Sequence, residues 1–429
     1  MAGRARGARA LGRPEPVLGL ANPDVPSSAL NNLTASMEDL VLPFGYPLES
    51  WPVETADGFV LRLYRIPYGA KNATTRDASK PVVLLMHGMT MASSAFVVLD
   101  PESSMGFYLA DAGYDVWIAN TRCNTYGQGN RLYRNTDAGF WQNSIDDLAL
   151  SDLPAIIDKV LRFTGQRSLS LVGHSQGAML GVMLLAQQPE FNEKLMLCLC
   201  LGAIRPRGAA PARPAPTPPS PRANPAAPVP HMISDAGVGH YLPASMTSHL
   251  LKGCAAGASA SAFCFDLVDF LFFGPENHVA TADFPRLAAV WPSGMPLRVL
   301  LHWAQMCRNG RGPEMYDFGT DCGSERTAAH QYRETCNQAR YGQDAPPRYD
   351  LSQVKTTAAV LYGDIDQMGS PRNVEKLLGS WGAQVVFEKQ YATTGHMDFL
   401  WARGPAVLKR DVLRILGEHA PRPPAAAPK

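Results

Sequence analysis

One short pattern, Gly-x-Ser-x-Gly at Gly173–Gly177, constrains this chain more than any other feature of its sequence because of what flanks it. An apolar, β-branched run, Ser168–Val172, precedes the pattern, and a helix-like stretch, Met179–Gln187, follows it. A serine on a sharp strand-to-helix turn needs flanking glycines, since a Cβ at those positions would collide with neighbouring backbone. The context predicts a nucleophile elbow that pushes the hydroxyl of Ser175 out of a sheet.

The remaining members of a catalytic triad can be sought late in the chain. A serine is a poor nucleophile at neutral pH, so it needs a histidine to take its proton and a carboxylate to orient that histidine. The apolar run Thr357–Gly363 leads into Asp366, and the run Ala383–Gln390 leads into His396. The order serine, aspartate, histidine is that of α/β-hydrolases. We therefore predict Ser175, Asp366 and His396 as the catalytic residues.

Each of these residues also has a simpler structural explanation. An aspartate after a strand often caps a helix, and Asp364 or Asp366 could cap a helix at Val374–Leu378. A lone histidine next to Gly395 would usually be a turn residue. Three residues with matching roles in one order favour catalysis over three unrelated roles. The choice of Asp366 over Asp364 stays open on these residues alone.

Acyl transfer also requires hydrogen-bond donors aimed at the oxyanion of the tetrahedral intermediate. One candidate donor is the backbone N–H of Gln176, the residue after the nucleophile. The other is Met89, which follows the strand-like run at 81–87 and the turn at Gly88. His87 is expected to support this turn rather than react.

The strand-like runs of this 429-residue chain are continuously apolar, as in a parallel sheet covered by helices on both faces. The alternation of strand-like and helix-like segments breaks at residues 204–353, which is too long for an ordinary connection. We predict the α/β class, with an α/β-hydrolase fold, a mostly parallel doubly wound sheet and an inserted helical cap or lid at 204–353. The core is predicted at 37–203 and 354–418, with a disordered or targeting segment at 1–36 and a disordered tail at 419–429.

Two stretches of the predicted cap stand out by composition. Ten prolines occur between Pro206 and Pro230, which favours a disordered or polyproline-like surface insertion over a docking site for a proline-recognising partner. The run Phe263–Phe273 is too short and too acidic to span a membrane, so no transmembrane segment is predicted. Its phenylalanines either pack the cap against the core or offer an apolar surface to a lipid interface.

Charge and motifs exclude several other functions. A formal net charge of +1 and a pI near 7.6 disfavour nucleic acid as a substrate. The sequence has no His-Glu-x-x-His zinc pattern, no paired Cys-x-x-Cys and no phosphate-binding Gly-x-x-x-x-Gly-Lys-Ser/Thr loop. We expect the reaction to need no cofactor and no metal.

Several longer stretches resemble the acid lipase family of α/β-hydrolases, which includes the gastric and lysosomal lipases and their plant counterparts. Together they cover most of residues 37–416, including the predicted cap. The matching stretches are Tyr46–Gly58, Arg65–Gly69, Leu85–Met89, Gly113–Asn120, Asp152–Asp158, His302–Met306, Met315–Gly319 and His396–Trp401.

The resemblance implies a hydrolase of neutral-lipid or other carboxylic esters, with Asp366 as the triad carboxylate because Gly363-x-x-Asp366 matches the family pattern. It also implies a cap disulfide between Cys254 and Cys264, whereas Cys198 and Cys200 lie on a strand-like run and are expected to be buried thiols. The chain departs from the family at Cys123, where the family usually has glycine, and in its proline-rich stretch.

Three classes of function follow. The first is a serine ester hydrolase, or lipase, acting on a neutral lipid or ester at a lipid–water interface. The second is an acyltransferase or thioesterase that uses the same triad, and the third is a lipid-binding protein that has lost catalysis. The resemblance to this family favours a secreted, lysosomal or vacuolar enzyme, or an enzyme at the surface of a lipid body. Two glycosylation sequons, at Asn32 and Asn72, would suit a secretory route, although no clear signal peptide is present.

Overall fold

The computed structural model describes residues 35–71, 80–202, 240–241, 278–309, 312–326, 332–334, 336–369, 371–403 and 406–419. The proline-rich stretch, the run Phe263–Phe273, both sequons and the predicted Cys254–Cys264 pair lie outside these residues.

The strands are β1 (Glu49–Glu54), β2 (Phe59–Ile66), β3 (Val82–Met86), β4 (Asp115–Ile118), β5 (Gly129–Asn130), β6 (Leu169–His174), β7 (Leu195–Leu201), β8 (His240–Tyr241), β9 (Met295–Pro296), β10 (Ser324–Arg326), β11 (Tyr332–Glu334), β12 (Ala358–Gly363) and β13 (Val385–Tyr391).

The helices alternate with these strands over much of the chain. Short 3-10 turns and one π-helical turn, Leu148–Asp152, supplement them. The α-helices are α1 (Met37–Val41), α2 (Met105–Asp111), α3 (Ile145–Asp147), α4 (Leu153–Thr164), α5 (Gln176–Gln187), α6 (Phe284–Ala288), α7 (Leu297–Asn309), α8 (Asn337–Tyr341), α9 (Pro371–Leu378), α10 (Asp398–Trp401) and α11 (Ala406–His419).

A single large sheet organises the molecule, in the order β1-β2-β4-β3-β6-β7-β12-β13, with β5 added beside β2. β2 pairs antiparallel with β1, β4 and β5. The neighbouring strands from β4 to the end of this order, β4-β3-β6-β7-β12-β13, all pair parallel. The carboxyl ends of the parallel strands therefore meet at one edge of the sheet. Loops at that edge of an open α/β sheet are where such folds bind ligands.

Helices cover both faces of the sheet, which explains why its central strands are apolar at every position. Along β3, Val82, Leu84 and Met86 face one core cluster, which α4 and α5 complete. Val83 and Leu85 face a second cluster, completed by α2 and α11. Each successive side chain is buried because strand side chains alternate between two covered faces. The predicted doubly wound, mostly parallel sheet is what the structure contains.

The long segment between β7 and β12, residues 202–357, is called the inserted segment below. Its described part contains the helices α6, α7 and α8 and two short antiparallel pairs, β8 with β9 and β10 with β11. A disulfide joins Cys322 to Cys336, a pairing that the sequence did not predict. His302 lies on α7 with its Nε2 2.8 Å from the carbonyl oxygen of Glu314, as expected of a structural histidine.

Several boundaries differ from their predictions by a few residues. The helix after the Gly-x-Ser-x-Gly pattern begins at Gln176, not Met179, because it starts directly behind the turn. The strand predicted at Ala383–Gln390 lies at Val385–Tyr391. Cys198 and Cys200 are buried free thiols, as predicted, with their sulfur atoms 3.8 Å apart on β7.

Candidate active site

Ser175 occupies the turn between β6 and α5 with a backbone φ of 54°, a left-handed value that is uncommon for a residue with a side chain. The flanking glycines are required by the tightness of this turn. A Cβ at Gly173 would lie 2.4 Å from the backbone nitrogen of Ala178, and one at Gly177 would lie 2.3 Å from the carbonyl oxygen of Met86. The pattern is therefore a steric requirement of the strand–turn–helix unit and of its packing against the end of β3.

His396 follows β13 and is paired with Asp366, which follows β12. The Nδ1 of His396 lies 2.8 Å from Oδ2 of Asp366, and both side chains are buried. The second carboxylate oxygen, Oδ1, accepts the backbone N–H groups of Met368 at 2.8 Å and Gly369 at 2.6 Å. A carboxylate partner at Nδ1 favours the tautomer with the proton on Nδ1 and leaves Nε2 as a proton acceptor.

The pKa of Asp366 reflects two opposing influences. Burial by itself raises this pKa, but the charge and hydrogen bond of His396 and the N–H groups of Gly369 and Met368 lower it further than burial raises it. The net pKa is below the ordinary value of 3.8. Asp366 is therefore ionised at neutral pH and suited to hold an imidazolium.

Asp364, the competing aspartate, takes a different place. It is exposed, and its Oδ1 accepts the backbone N–H of Thr394 at 3.3 Å. No described hydrogen bond or ion pair joins Asp364 to His396. Among the described residues, the structure brings Asp366 and not Asp364 to the histidine.

Ser175 and His396 line the same cavity, at the carboxyl edge of the parallel strands. Methionines and a tryptophan dominate the rest of its wall, which gives it an apolar and adaptable surface. The remaining described lining residues are Gly88, Met89, Thr90, Met91, His174, Trp291, Met368 and Met397.

The turn after β3 contains Met89, the first candidate oxyanion donor. His87 is buried, and its Nδ1 lies 2.8 Å from the carbonyl oxygen of Gly88, which it reaches as a donor. Because N–H and C=O point in opposite directions across a trans peptide, the N–H of Met89 points away from His87. Nε2 of His87 accepts the backbone N–H of Thr121 at 3.2 Å, and burial lowers the pKa of His87 to about 4. This neutral histidine supports the turn, as the sequence predicted.

The second candidate donor, Gln176, is the first residue of α5. Backbone N–H groups in the first turn of a helix have no acceptor within the helix, so they are available to an anionic group. The side chain of Gln176 is buried, and its Oε1 accepts the indole N–H of Trp303 at 2.7 Å. Trp303 lies on α7 of the inserted segment.

Sequence reasoning missed a role for His174, the residue before Ser175. Its Nε2 lies 3.0 Å from the backbone carbonyl oxygen of His396, and the two rings are 4.9 Å apart. Burial, followed by the proximity of His396, lowers the pKa of His174 to about 3, so His174 is neutral and donates from Nε2. His174 thus fixes the backbone of His396 to the turn at Gly173–Gly177. Its position inside the Gly-x-Ser-x-Gly pattern was the available signal.

The turn after β4 accommodates Cys123, the residue that departs from the family. Cys123 has a φ of 67° and is fully buried, with its thiol donating to the carbonyl oxygen of Phe140 at 3.3 Å. Next to it, Arg122 forms ion pairs with Asp57 and Asp152. A side chain is tolerated here because the thiol fits a buried site beside a strongly anchored arginine.

Neither a metal centre nor a membrane span is found among the residues that the structure describes. They contain no group of three or more His, Cys, Asp or Glu side chains placed to hold a metal ion. Over the same ranges, every helix is too short or too polar to cross a bilayer.

Comparisons with known proteins give matches to family models, to relatives and to a solved structure. Residues 37–100 match the model of a partial α/β-hydrolase lipase region, and residues 81–200 match the α/β-hydrolase fold. Lipase lipl-1 of Caenorhabditis elegans is 32% identical over 399 residues, covering 88% of this chain and 90% of that relative. Gastric triacylglycerol lipase of Bos taurus is 31% identical, covering 90% and 93%. Human lysosomal acid lipase/cholesteryl ester hydrolase is 30% identical, covering 85% and 86%.

A solved structure from Sulfolobus solfataricus superposes with a TM-score of 0.53 at 13% identity, covering 86% of this chain and 94% of its own. At that identity the likeness concerns the fold alone. Together with the fold-model match and the strand order, it confirms the predicted α/β-hydrolase fold.

Proposed function

The chain belongs to the acid lipase family of α/β-hydrolases, a family of carboxylic ester hydrolases, and on that premise we propose that it is a lipase that cleaves neutral-lipid esters with Ser175 as nucleophile. The observation that carries the proposal is the arrangement of three residues around one cavity. Ser175 stands on a strained turn, His396 shares its cavity, and Asp366 holds Nδ1 of His396 at 2.8 Å. This leaves Nε2 free to take the proton of the serine hydroxyl.

The reaction proceeds in two halves. As Oγ of Ser175 attacks the ester carbonyl carbon, its proton passes to Nε2 of His396, and the carbonyl oxygen becomes an oxyanion facing the N–H groups of Met89 and Gln176. The intermediate collapses, the leaving alcohol takes the proton from His396, and an acyl-enzyme remains. Water then attacks, giving its proton to His396. The second collapse returns that proton to Ser175 and releases the fatty acid.

The substrate class is supported by the relatives and by the cavity wall. The relatives at about 30% identity are named for triacylglycerol and for cholesteryl ester. The wall contributes Met89, Met91, Met368 and Met397, apolar side chains that adapt to an acyl chain. The substrate is a triacylglycerol or a sterol ester met at a lipid–water interface.

Within the inserted segment, we assign residues 204–353 to a cap over a core formed by 37–203 and 354–418. Its described part contacts the core at the carboxyl edge of the sheet. The backbone N–H of Tyr316 donates to Asp146 at 2.8 Å, and that of Ser293 donates to the carbonyl oxygen of Thr90 at 2.6 Å. A segment in this place closes over the cavity that holds Ser175.

The test is release of fatty acid from emulsions of short-chain glyceride, long-chain glyceride and cholesteryl ester, beside the Ser175→Ala variant. Loss of the nucleophile of a triad typically lowers kcat by about a millionfold. A serine-directed phosphonate should label the parent and not the variant. Equal labelling of both proteins would show that Ser175 is not the nucleophile.

The carboxylate assignment is tested separately with Asp366→Asn and Asp364→Asn. The first should lower kcat by about 10⁴-fold, as loss of the orienting carboxylate does in serine proteases. The second changes an exposed side chain and should keep kcat within about twofold. A larger loss from Asp364→Asn than from Asp366→Asn would reverse the assignment.

A further inference from the structure

Two tryptophans of the inserted segment reach the two turns that carry the candidate oxyanion donors. Trp303, on α7, donates its indole N–H to Oε1 of Gln176 at 2.7 Å. Trp291, just before β9, donates its indole N–H to Oγ1 of Thr90 at 3.1 Å. Both tryptophans are 7% exposed, so these hydrogen bonds are shielded from water.

The Trp303 contact acts on the residue that follows the nucleophile. The side chain and the backbone N–H of Gln176 share one Cα, at the first position of α5. Fixing Oε1 therefore restricts the side chain of the residue whose backbone faces the oxyanion. Without the indole donor, a buried amide oxygen would lack its partner and would favour another rotamer.

The Trp291 contact acts on the turn after β3 through a relay. The hydroxyl of Thr90 accepts from Trp291 and donates to the carbonyl oxygen of Met89 at 2.6 Å. Thr90 has a φ of 59°, an uncommon value for a β-branched residue, which requires support from its surroundings. Further support comes from the N–H of Ser293, 2.6 Å from the carbonyl oxygen of Thr90.

We propose that Trp291 and Trp303 are positioning residues of the oxyanion site, so that the inserted segment sets the geometry of catalysis as well as access to the cavity. This inference rests on the proposed function. The two contacts come from positions twelve residues apart and reach both sides of the site. Movement of the inserted segment away from the sheet would break both hydrogen bonds. Full oxyanion stabilisation is therefore available only while this segment is docked.

The experiment compares Trp303→Phe and Trp291→Phe with the parent. Phenylalanine keeps an aromatic ring and removes the N–H donor. Each change should lower kcat by about tenfold and leave KM within about twofold, since a donor that is misaligned costs less than one that is deleted, at about 10²–10³. The double variant should lose about a hundredfold.

Trp117→Phe is the matched control. Trp117 is also buried and also donates its indole N–H, to Oδ2 of Asp115 at 3.1 Å, but it lies on β4 and does not line the cavity. This variant should keep the parental kcat. A fall in kcat equal to that of Trp303→Phe would mean that loss of any buried indole donor has the same effect, and would overturn the proposal.

A second readout separates positioning from general loosening. Sulfur accepts hydrogen bonds more weakly than oxygen, so a thionoester gains less from oxyanion donors than the matching ester. The parental preference for the oxygen ester should shrink by about tenfold in each Trp→Phe variant. A fall in kcat with an unchanged preference would contradict the proposal.

A second set of variants changes the two hydrogen-bond acceptors, Gln176 and Thr90, in place of the tryptophans. It keeps the proposal testable if a tryptophan variant fails to fold. Gln176→Met keeps the backbone N–H and removes the side-chain acceptor, and Thr90→Val removes the hydroxyl and keeps the β-branch. Gln176→Met combined with Trp303→Phe should lose no more activity than either change alone, and the same holds for Thr90→Val with Trp291→Phe. Additive losses would overturn the coupling. Failure of the proposed function would appear differently, as a folded parent with no turnover.

Discussion

The two turns that face each other across the candidate active site are held in place by different means. The turn at Gly173–Gly177 depends on its own glycines, because a Cβ at Gly173 would lie 2.4 Å from the backbone nitrogen of Ala178 and one at Gly177 would lie 2.3 Å from the carbonyl oxygen of Met86 on β3. The turn Gly88–Thr90 is fixed by side chains from elsewhere, including His87 before it and Trp291 about two hundred residues later. The first turn therefore depends on the absence of side chains at two of its own positions, whereas the second depends on hydrogen bonds from side chains outside it.

This difference explains why one turn has a recognisable sequence pattern and the other does not. Two positions that admit no Cβ leave a fixed spacing of glycines in the sequence, even though the atoms that Gly177 avoids lie at the end of β3. A turn held by hydrogen bonds can take its donors from any part of the chain that packs beside it. The two turns also touch, since a Cβ at Gly88 would lie 3.2 Å from Cβ of Ser175.

The largest expected effect comes from Gly177→Ala, which would force the turn at Gly173–Gly177 away from the carboxyl end of β3. The new Cβ would lie 2.3 Å from the carbonyl oxygen of Met86 and 2.7 Å from that of His87. Neither backbone atom can move without shifting β3, so we expect a loss of about 3 kcal/mol or more in the free energy of unfolding. Urea denaturation followed by circular dichroism measures it.

Gly165→Ala is the control for that change. Gly165 has a φ of 71°, and a Cβ added there would meet no atom within 4 Å, so only the left-handed backbone is penalised, by about 1 kcal/mol. Equal losses at the two glycines would show that the close approach to the end of β3 is not what makes Gly177 necessary.

Acid should weaken both turns, because a buried neutral histidine lies within the first turn, at His174, and directly before the second, at His87. The pKa of His87 is lowered to about 4 and that of His174 to about 3, from an ordinary value of 6.5. Between pH 6.5 and 4 the unfolded chain therefore binds protons that the folded chain does not, and stability falls as pH drops. Each histidine should cost about 2 kcal/mol at pH 5 relative to pH 7.

The variants His87→Asn and His174→Gln isolate these contributions, since each retains a donor near the position of the nitrogen it replaces. Denaturation midpoints measured from about pH 4 to 8 should show a shallower decline for each variant than for the parent. Parallel pH profiles for parent and variants would mean that neither histidine changes its protonation on unfolding.

A smaller effect is expected from Gly88→Ala, which tests the contact between the two turns. The new Cβ would lie 3.0 Å from Nδ1 of His174 and 3.3 Å from Sδ of Met91, close enough to require a shift of a few tenths of an ångström. We expect kcat to fall by about tenfold, or about 1.4 kcal/mol, from misplacement of the neighbouring Met89 N–H. Steady-state kinetics on a soluble ester would measure this, and an unchanged kcat would argue against Met89 as a donor.

The smallest effect is expected at the third turn of this edge, in Cys123→Gly. Glycine relieves the left-handed φ of 67° but loses the packing and hydrogen bond of a buried thiol. These contributions are each about 1 kcal/mol and oppose one another, so stability should change by less than about 1 kcal/mol. Turnover should stay within about twofold of the parent. A large gain in turnover would identify Cys123 as a defect.

The sequence alone was sufficient for the features in which neighbouring residues determine one another. The turn at Ser175 followed from its glycines and flanking runs, and the parallel sheet followed from continuously apolar strands. His396 and Asp366 could be proposed because each follows a strand whose carboxyl end faces the same edge. Choosing Asp366 over Asp364 needed either the family resemblance or the observed 2.8 Å contact, since both aspartates follow the same strand.

Only the tertiary structure decided the contacts between segments that are distant in sequence. Among these are the hydrogen bonds of Trp303 to Gln176 and of His174 to the backbone of His396, and the disulfide between Cys322 and Cys336. No periodicity or local spacing encodes such contacts, because they depend on how separately folded segments pack. The sequence therefore determined which residues could perform the chemistry. The packing of the inserted segment against the sheet decided which groups hold them in position.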